Sequence, residues 1–276
     1  MNSNTLIYTL LNMDGWGPNT VFSYVKENHF DYDSCRLNLV NILSNREQEI
    51  FKNKLFESTK ICELNLKNGI ECISILDPRF PKKLYNTSDK CVFLFFKGNI
   101  DLLSKKSISI IGTRKPEESF IEKGKNVTEY FAKKDYVIVS GLALGCDTIA
   151  HQSCINVNGK TIAVLPSSCD NVQPSSNREL AYNILKNDGL LISEYSFGSK
   201  VSKYNFPRRD RIQSLLSSVV LIIQASDDSG TMIATKKSLK DGKFVYAIKG
   251  NNLTLVNRYV DVDDISDLEE VETWIL

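Results

Sequence analysis

The chain has 276 residues, of which 42% are hydrophobic and 24% charged, which is enough for one large domain and a smaller one. Its 34 lysines and arginines nearly balance its 33 aspartates and glutamates, so the formal net charge is only +1. This balance excludes a surface that is basic throughout, and any affinity for nucleic acid must come from a local cluster of cations.

The seven cysteines occur singly, and the only histidines are His29 and His151. This pattern argues against a zinc site and favours the reduced thiols of a cytoplasmic protein, with no cofactor expected. Apolar stretches such as 219–223 are too short to span a bilayer, and no targeting segment is visible, so no membrane contact is expected.

Apolar residues recur at helical spacing from Thr5 to about Phe56, which predicts a small domain of short helices over residues 1–62. The segment 16–21 places Gly and Pro ahead of a helix start. It is either a helix-hairpin-helix turn that meets a DNA phosphate or an ordinary turn between two helices. Residues 69–98 then predict a strand, a proline-fixed turn and a second strand, joined to the following domain without a flexible linker.

A regular alternation of strands and helices follows. Strands are predicted at 108–111, 136–139, 161–165, 190–192, 219–224 and 244–248, and helices at 117–134, 147–156, 177–186 and 231–240. Nearly all-apolar strands between helices indicate an α/β fold. We predict an extended Rossmann-like domain over residues 63–250, with a doubly wound, mostly parallel sheet in which 219–223 is a central strand. Residues 251–276 form an acidic tail, which is either an ordered cap or a partner contact but not a nucleic-acid-binding tail.

Small polar residues follow several predicted strands, at the sheet edge where ligands bind in open α/β folds. They include Gly112-Thr113-Arg114, Ser140-Gly141 and Ser229-Gly230. Glycines let backbone N–H groups approach an anion, and a helix that starts near Ser229 or Gly230 would direct its positive dipole end at a phosphate.

A basic turn at residues 205–211 adds cations to these loops. Arg208, Arg209 and Arg211, with Arg114, are predicted to form a basic lip, because arginine grips phosphate at two points and stacks on bases. At least one of the four is expected to pair with an acidic neighbour instead. Phe206 either stacks on an unpaired base or lies in the core beneath Pro207.

Asp147 and His151 lie four residues apart and therefore on one face of a predicted helix. They form either an acid–base pair or, as we favour, a structural hydrogen-bonded pair. The sequence contains no Ser-His-Asp arrangement, Walker loop or dinucleotide-binding glycine motif, so the chain is not expected to be an enzyme.

In order and spacing, these residues closely resemble the DNA-processing protein A family, called DprA or Smf. The resemblance spans residues 70–250 and rests on Gly112-Thr113-Arg114, Ser140-Gly141-Leu142-Ala143-x-Gly145-x-Asp147, Phe206-Pro207-Arg208-Arg209-x-Arg211 and Ser229-Gly230. It implies a homodimer that binds single-stranded DNA, protects incoming strands during natural transformation and helps to load a RecA-type recombinase. The implied pocket residues are Gly112, Thr113, Arg114, Ser140, Gly141, Phe206, Arg208, Arg209, Arg211, Ser229 and Gly230.

The chain departs from the family pattern at three places. Leu144 stands where the family has Arg, Asp210 where it has Asn, and Gln213-Ser214-Leu215 where it has Ile-Ala-Gly. The first two lower the positive charge of the pocket, so we expect weaker phosphate binding with a flatter salt dependence. No winged-helix domain is expected after Gly250.

Three other functions remain open, one of which is a protein-interaction module in which the acidic tail and the dimer surface matter most. The chain is alternatively a specialised paralogue in phage defence or mobile-element biology. It is otherwise a nucleotide-binding or nucleotide-hydrolysing Rossmann enzyme, although residues 227–231 lack the paired glycines of such enzymes.

Overall fold

Four helices form the N-terminal part of the chain in the computed structural model, which describes residues 2–275. They are α1 (Ser3–Leu11), α2 (Pro18–Glu27), α3 (Tyr32–Ile42) and α4 (Asn45–Lys67). Pro18 occupies the first turn of α2, where its missing N–H costs no hydrogen bond. The predicted helical segment is therefore present, and it runs past the predicted boundary at residue 62 because α4 continues to Lys67.

A nine-stranded, mostly parallel sheet forms the rest of the fold. The strands are β1 (Glu71–Ser74), β2 (Phe93–Gly98), β3 (Ser107–Ile111), β4 (Val137–Ser140), β5 (Thr161–Val164), β6 (Leu190–Ser193), β7 (Val219–Ile222), β8 (Phe244–Ile248) and β9 (Arg258–Val260). Their spatial order is β1-β2-β6-β5-β4-β3-β7-β8-β9. Among the strands of residues 2–275, only the pairings of β2 with β1 and β6 are antiparallel, which confirms the predicted fold class.

Helices cover both faces of the parallel strands. They are α5 (Glu118–Lys133), α6 (Cys146–Asn156), α7 (Arg178–Lys186), α8 (Asn205–Leu215), α9 (Gly230–Lys240) and α10 (Ile265–Thr273). Strand β7 shows why its sequence is apolar throughout: Val219 and Leu221 pack with α5 and α6, whereas Val220 and Ile222 pack with Met232 of α9. Alternate residues of a strand point to opposite faces, so all four residues of β7 are buried against apolar neighbours.

The N-terminal helices share their apolar core with the antiparallel end of the sheet. Leu6 and Leu10 of α1 belong to the same buried cluster as Leu94 and Phe95 of β2. Within residues 2–275, every helix is too short or too polar to cross a bilayer.

The predicted acidic tail is part of the sheet domain. Strand β9 pairs in parallel with β8, and α10 packs beside it. Two of the acidic side chains bind Arg258, whose guanidinium lies 3.0 Å from Asp267 and also contacts Glu270. Trp274 stacks on Phe244 with ring centroids 3.6 Å apart. The sequence left open an ordered cap or a partner contact, and the structure shows an ordered element whose carboxylates pair with a cation that only the fold brings close.

Candidate nucleic-acid interface

A cavity of about 430 Å³ lies between the carboxyl ends of β3 and β7 and the helices α8 and α9. This volume is within the range of small-ligand pockets. Six of the predicted site residues line it, namely Gly112, Thr113, Arg114, Arg209, Ser229 and Gly230. The fold therefore gathers loops that are more than 100 residues apart in the sequence, as expected for the carboxyl edge of a parallel sheet.

The loop after β3 is fixed by close backbone packing. The Thr113 N–H donates to the Gln224 carbonyl over 2.7 Å, and the Cys146 N–H donates to the Thr113 carbonyl over 3.0 Å. A Cβ atom on Gly112 would lie 2.6 Å from Cys146 Sγ, so only glycine fits there. These contacts hold Arg114, which is exposed, at the mouth of the cavity.

The N-terminus of α9 forms another part of the cavity wall. Ser229 is the residue before the helix and makes no side-chain hydrogen bond that caps it. A Cβ atom on Gly230 would meet nothing within 4 Å, so this end of the helix faces open space. The N–H groups of its first turn and its positive dipole end can therefore receive an anion.

The predicted basic turn is the beginning of α8. Pro207 lies in the first turn of this helix, where proline is tolerated, and the chain continues as helix to Leu215. Arg208 is exposed and Phe206 is half-buried. The Arg114 guanidinium lies 5.6 Å from the centre of the Phe206 ring, which forms a cation–π pair at the cavity mouth. Phe206 is thus at the surface of the site rather than in the core.

Arg209 is buried and ion-paired, in contrast to the predicted exposed lip. Its Nε donates to Asp210 over 2.7 Å, its Nη1 lies 3.9 Å from Asp147 Oδ2, and Nη1 also donates to the Gly141 carbonyl. Burial raises the pKa of Asp147, while the Arg209 charge lowers it. A Cβ atom on Gly141 would lie 1.8 Å from Arg209 Nη1. Gly141 therefore makes room for Arg209, and Asp210 fulfils the expectation that an arginine is neutralised.

Arg211 and Ser140 are also buried in the interior and do not contribute to the predicted lip. Arg211 is 2% exposed, donates to Glu194 over 2.6 Å, and has its Nε 3.2 Å from Asp89. The buried Ser140 hydroxyl donates to the Ile110 carbonyl over 2.7 Å. The predicted four-arginine lip is thus wrong for Arg209 and Arg211, because α8 is packed on more than one side and buries each of them against different carboxylates. The exposed arginines that remain are Arg114 and Arg208.

Asp147 and His151 do not form the favoured structural pair. Asp147 accepts from the Ala143 N–H and faces Arg209, whereas His151 Nδ1 bonds Thr161 Oγ1 over 2.7 Å. The Thr161 hydroxyl donates its hydrogen to the Ile138 carbonyl, so His151 Nδ1 is the donor in that bond. Burial, aided by the Arg209 charge, lowers the pKa of His151 to about 3. The imidazole is therefore neutral and sealed from solvent.

Sequence reasoning did not place four polar residues in the cavity. Ser109, Gln213, Ser214 and Ser238 form its floor, on β3, α8 and α9. Ser109 and Ser238 were signalled only by polarity at positions that are normally apolar in a doubly covered strand or an inward helix face. Gln213 and Ser214 were noted only as departures from the family pattern. Among residues 2–275, no cluster of three or more His, Cys, Asp or Glu side chains could hold a metal ion.

Comparison with known proteins relates this site to a family. Residues 71–258 match the family described as DNA recombination-mediator protein A. The DNA processing protein DprA of Streptococcus pneumoniae is 37% identical over 180 residues, which cover 65% of this chain and 63% of that protein. DprA of Bacillus subtilis is 36% identical over 186 residues, 67% of this chain and 62% of that protein. The matched region therefore spans less than two thirds of either relative.

Solved structures extend the similarity to the fold. DprA of S. pneumoniae superimposes with a TM-score of 0.73 and 27% identity, over 92% of this chain and 95% of that chain. DprA of Helicobacter pylori, whose structure concerns its single-stranded DNA binding mode, has a TM-score of 0.66 and 25% identity, over 74% of this chain and 97% of that chain. Because the family match covers more than half of its residues and includes every strand that lines the cavity, the chain belongs to the DNA recombination-mediator protein A family.

Proposed function

We propose that this chain binds single-stranded DNA at the cavity mouth and acts as a recombination mediator without catalytic activity of its own. One juxtaposition carries this proposal: Arg114, held over Phe206, lies at the cavity mouth together with the open N-terminus of α9, and Arg208 is exposed on α8 two residues after Phe206. The cations and the helix N–H groups suit phosphates, and the aromatic ring suits an unpaired base. The H. pylori relative with a described single-stranded DNA binding mode supports the same ligand.

The charge of the site favours modest affinity. Arg209 and Arg211 are neutralised by carboxylates inside the protein, and Leu144, which is 46% exposed, follows the cavity-lining Ala143 with an apolar side chain. Few phosphates are then neutralised on binding, and few counterions are released. We therefore expect a shallow dependence of affinity on salt.

The absence of catalysis is supported by the state of the titratable groups. The two carboxylates beside the cavity, Asp147 and Asp210, are held by Arg209, and His151 is completely buried. A general acid or base must exchange a proton with the substrate, whereas these carboxylates are engaged by Arg209 and the imidazole is buried. Incubation with a panel of nucleotides should release no free base; release would favour the nucleotide-hydrolysing alternative.

The same proposal includes protection of single strands, a RecA-type recombinase as partner, a homodimer and a cytoplasmic location. The membership of the chain in the DNA recombination-mediator protein A family supports these roles. The test is nucleation of the recombinase on a labelled single strand, with and without this protein. Binding to DNA without any effect on nucleation or strand protection would favour a specialised role in defence or mobile-element biology.

Binding itself is tested by fluorescence anisotropy of labelled single-stranded and duplex oligonucleotides at two salt concentrations. Arg208→Ala should weaken single-strand binding and reduce the salt slope by about one. Lys106→Ala is the matched control, because Lys106 is also exposed but precedes β3, at the amino ends of the parallel strands and away from the cavity. Equal effects of the two variants, or no binding by folded protein, would refute the assignment of the site.

A further inference from the structure

The floor of the cavity is polar, although it lies between a parallel sheet and two helices. Ser109 comes from the middle of β3, Gln213 and Ser214 from the last turns of α8, and Ser238 from the last turns of α9. These positions are further from the strand ends than the loops at the mouth. In ligand pockets, a small number of buried polar groups fix the orientation of the bound molecule and provide specificity.

The hydroxyl hydrogens of this floor are already used within the protein. Ser109 donates to the Gln213 carbonyl over 2.6 Å, and Ser238 donates to the Ala234 carbonyl over 2.9 Å. Ser214 and Ser238 lie 2.5 Å apart, so Ser214 is the donor between them. The three serines can therefore offer lone pairs to a bound molecule, but their hydrogens are engaged.

The side-chain amide of Gln213 is different. Gln213 is 4% exposed, and its Nε2 has no hydrogen-bond partner among residues 2–275. Buried donors in proteins are nearly always paired, because an unpaired one loses its bonds to water without compensation. A molecule that brought a carbonyl oxygen to the cavity floor would supply the missing acceptor.

We infer that the cavity receives one base of the bound single strand and that Gln213 is a specificity-determining residue, selecting a base whose deepest atom is a carbonyl oxygen. This inference rests on the proposed function. A base enters from the mouth with its sugar and phosphate at Arg114 and the N-terminus of α9, so the atom opposite the glycosidic bond reaches the floor. In pyrimidines this is the group on C4, which is a carbonyl in thymine and an amino group in cytosine.

The experiment compares labelled oligo(dT) and oligo(dC) of equal length, since both are pyrimidine strands and differ at this group. Wild-type protein should prefer oligo(dT) by roughly three- to tenfold, the effect of one neutral hydrogen bond. Gln213→Leu should abolish this preference, and Gln213→Met serves in its place if the leucine variant fails to fold. Arg208→Ala is the matched control, because loss of a phosphate contact should weaken both strands and leave their ratio unchanged.

The possible results separate this inference from the proposed function. A thymine preference that disappears with the Gln213 variants and persists in Arg208→Ala supports the inference. Equal binding of both strands by wild-type protein, or a preference that the Gln213 variants retain, overturns it while single-strand binding stands. Failure to bind any oligonucleotide overturns the proposed function and this inference together.

Discussion

Arg209→Met tests whether the most conspicuous arginine of the site serves the fold rather than the ligand. The substitution keeps an apolar stem but leaves Asp147 buried beside the Gly141 carbonyl without its cation. Removal of one partner of a buried ion pair costs about 3–5 kcal/mol. We expect a loss of this size in the free energy of unfolding at pH 7, measured by urea denaturation followed by circular dichroism. Arg208→Ala, at an exposed position, should change that free energy by no more than about 0.5 kcal/mol.

The pH dependence of this loss is a second measure of the same reasoning. Burial raises the pKa of Asp147, and Arg209 opposes that rise, so the variant should have a still higher pKa at Asp147. A raised carboxyl pKa destabilises the fold above that pKa, and the cost disappears as pH falls through it. Arg209 also lowers the pKa of His151, so its removal acts in the same direction. The deficit should therefore shrink between pH 7 and pH 5. A loss below about 1 kcal/mol at pH 7, or the same loss at both pH values, would refute the buried-pair account.

Three further predictions follow from other contacts. Gly141→Ala should lower the free energy of unfolding by about 1–3 kcal/mol, because its Cβ would lie 1.8 Å from Arg209 Nη1. Gly230→Ala, where a Cβ meets open space, should be as stable as wild type. Similar urea midpoints for the two variants would contradict this. The His151 pKa of about 3 lies below the value of about 6.5 in an unfolded chain, so protonation of the unfolded chain should lower the free energy of unfolding by roughly 2 kcal/mol between pH 7 and pH 5. His151→Asn should show a smaller decrease over the same range. Leu144→Arg, at an exposed position on the loop after β4, should strengthen single-strand binding and steepen the salt slope by about one; an unchanged slope would mean that this loop does not meet phosphate.

The fold was largely predictable because parallel strands between helices have a strong local signature. Strand β7 illustrates this: both of its faces are covered, so every residue from Val219 to Ile222 is apolar. The loops of the site were predictable for a related reason, because the carboxyl ends of parallel strands meet at one edge of the sheet. Gly112 and Ser229 could thus be assigned to one site from the order of the elements alone.

The fate of the arginines was not predictable in the same way. Arg208 and Arg209 are adjacent in sequence, and only the rotation of α8 places one in solvent and the other against Asp147. Because residues 205–211 were predicted to be a turn, the helical periodicity of α8 was not used to decide which arginines are buried. Gln213 was likewise visible only as a departure from a pattern, since its burial depends on α9 and β3 meeting α8. Such long-range contacts leave no mark on local sequence.

The two edges of the sheet bear on how a second subunit could attach. At one edge β1 has four residues, and at the other β9 has three, with α10 packed beside it. A dimer that continued the sheet across either edge would form only a few main-chain hydrogen bonds, and short edges of this kind are how proteins avoid such pairing. We therefore expect the homodimer of the proposed function to join through helix and loop surfaces. Substitutions intended to separate the subunits belong on exposed apolar side chains of helices, such as Ile233 of α9, rather than on the outer strands.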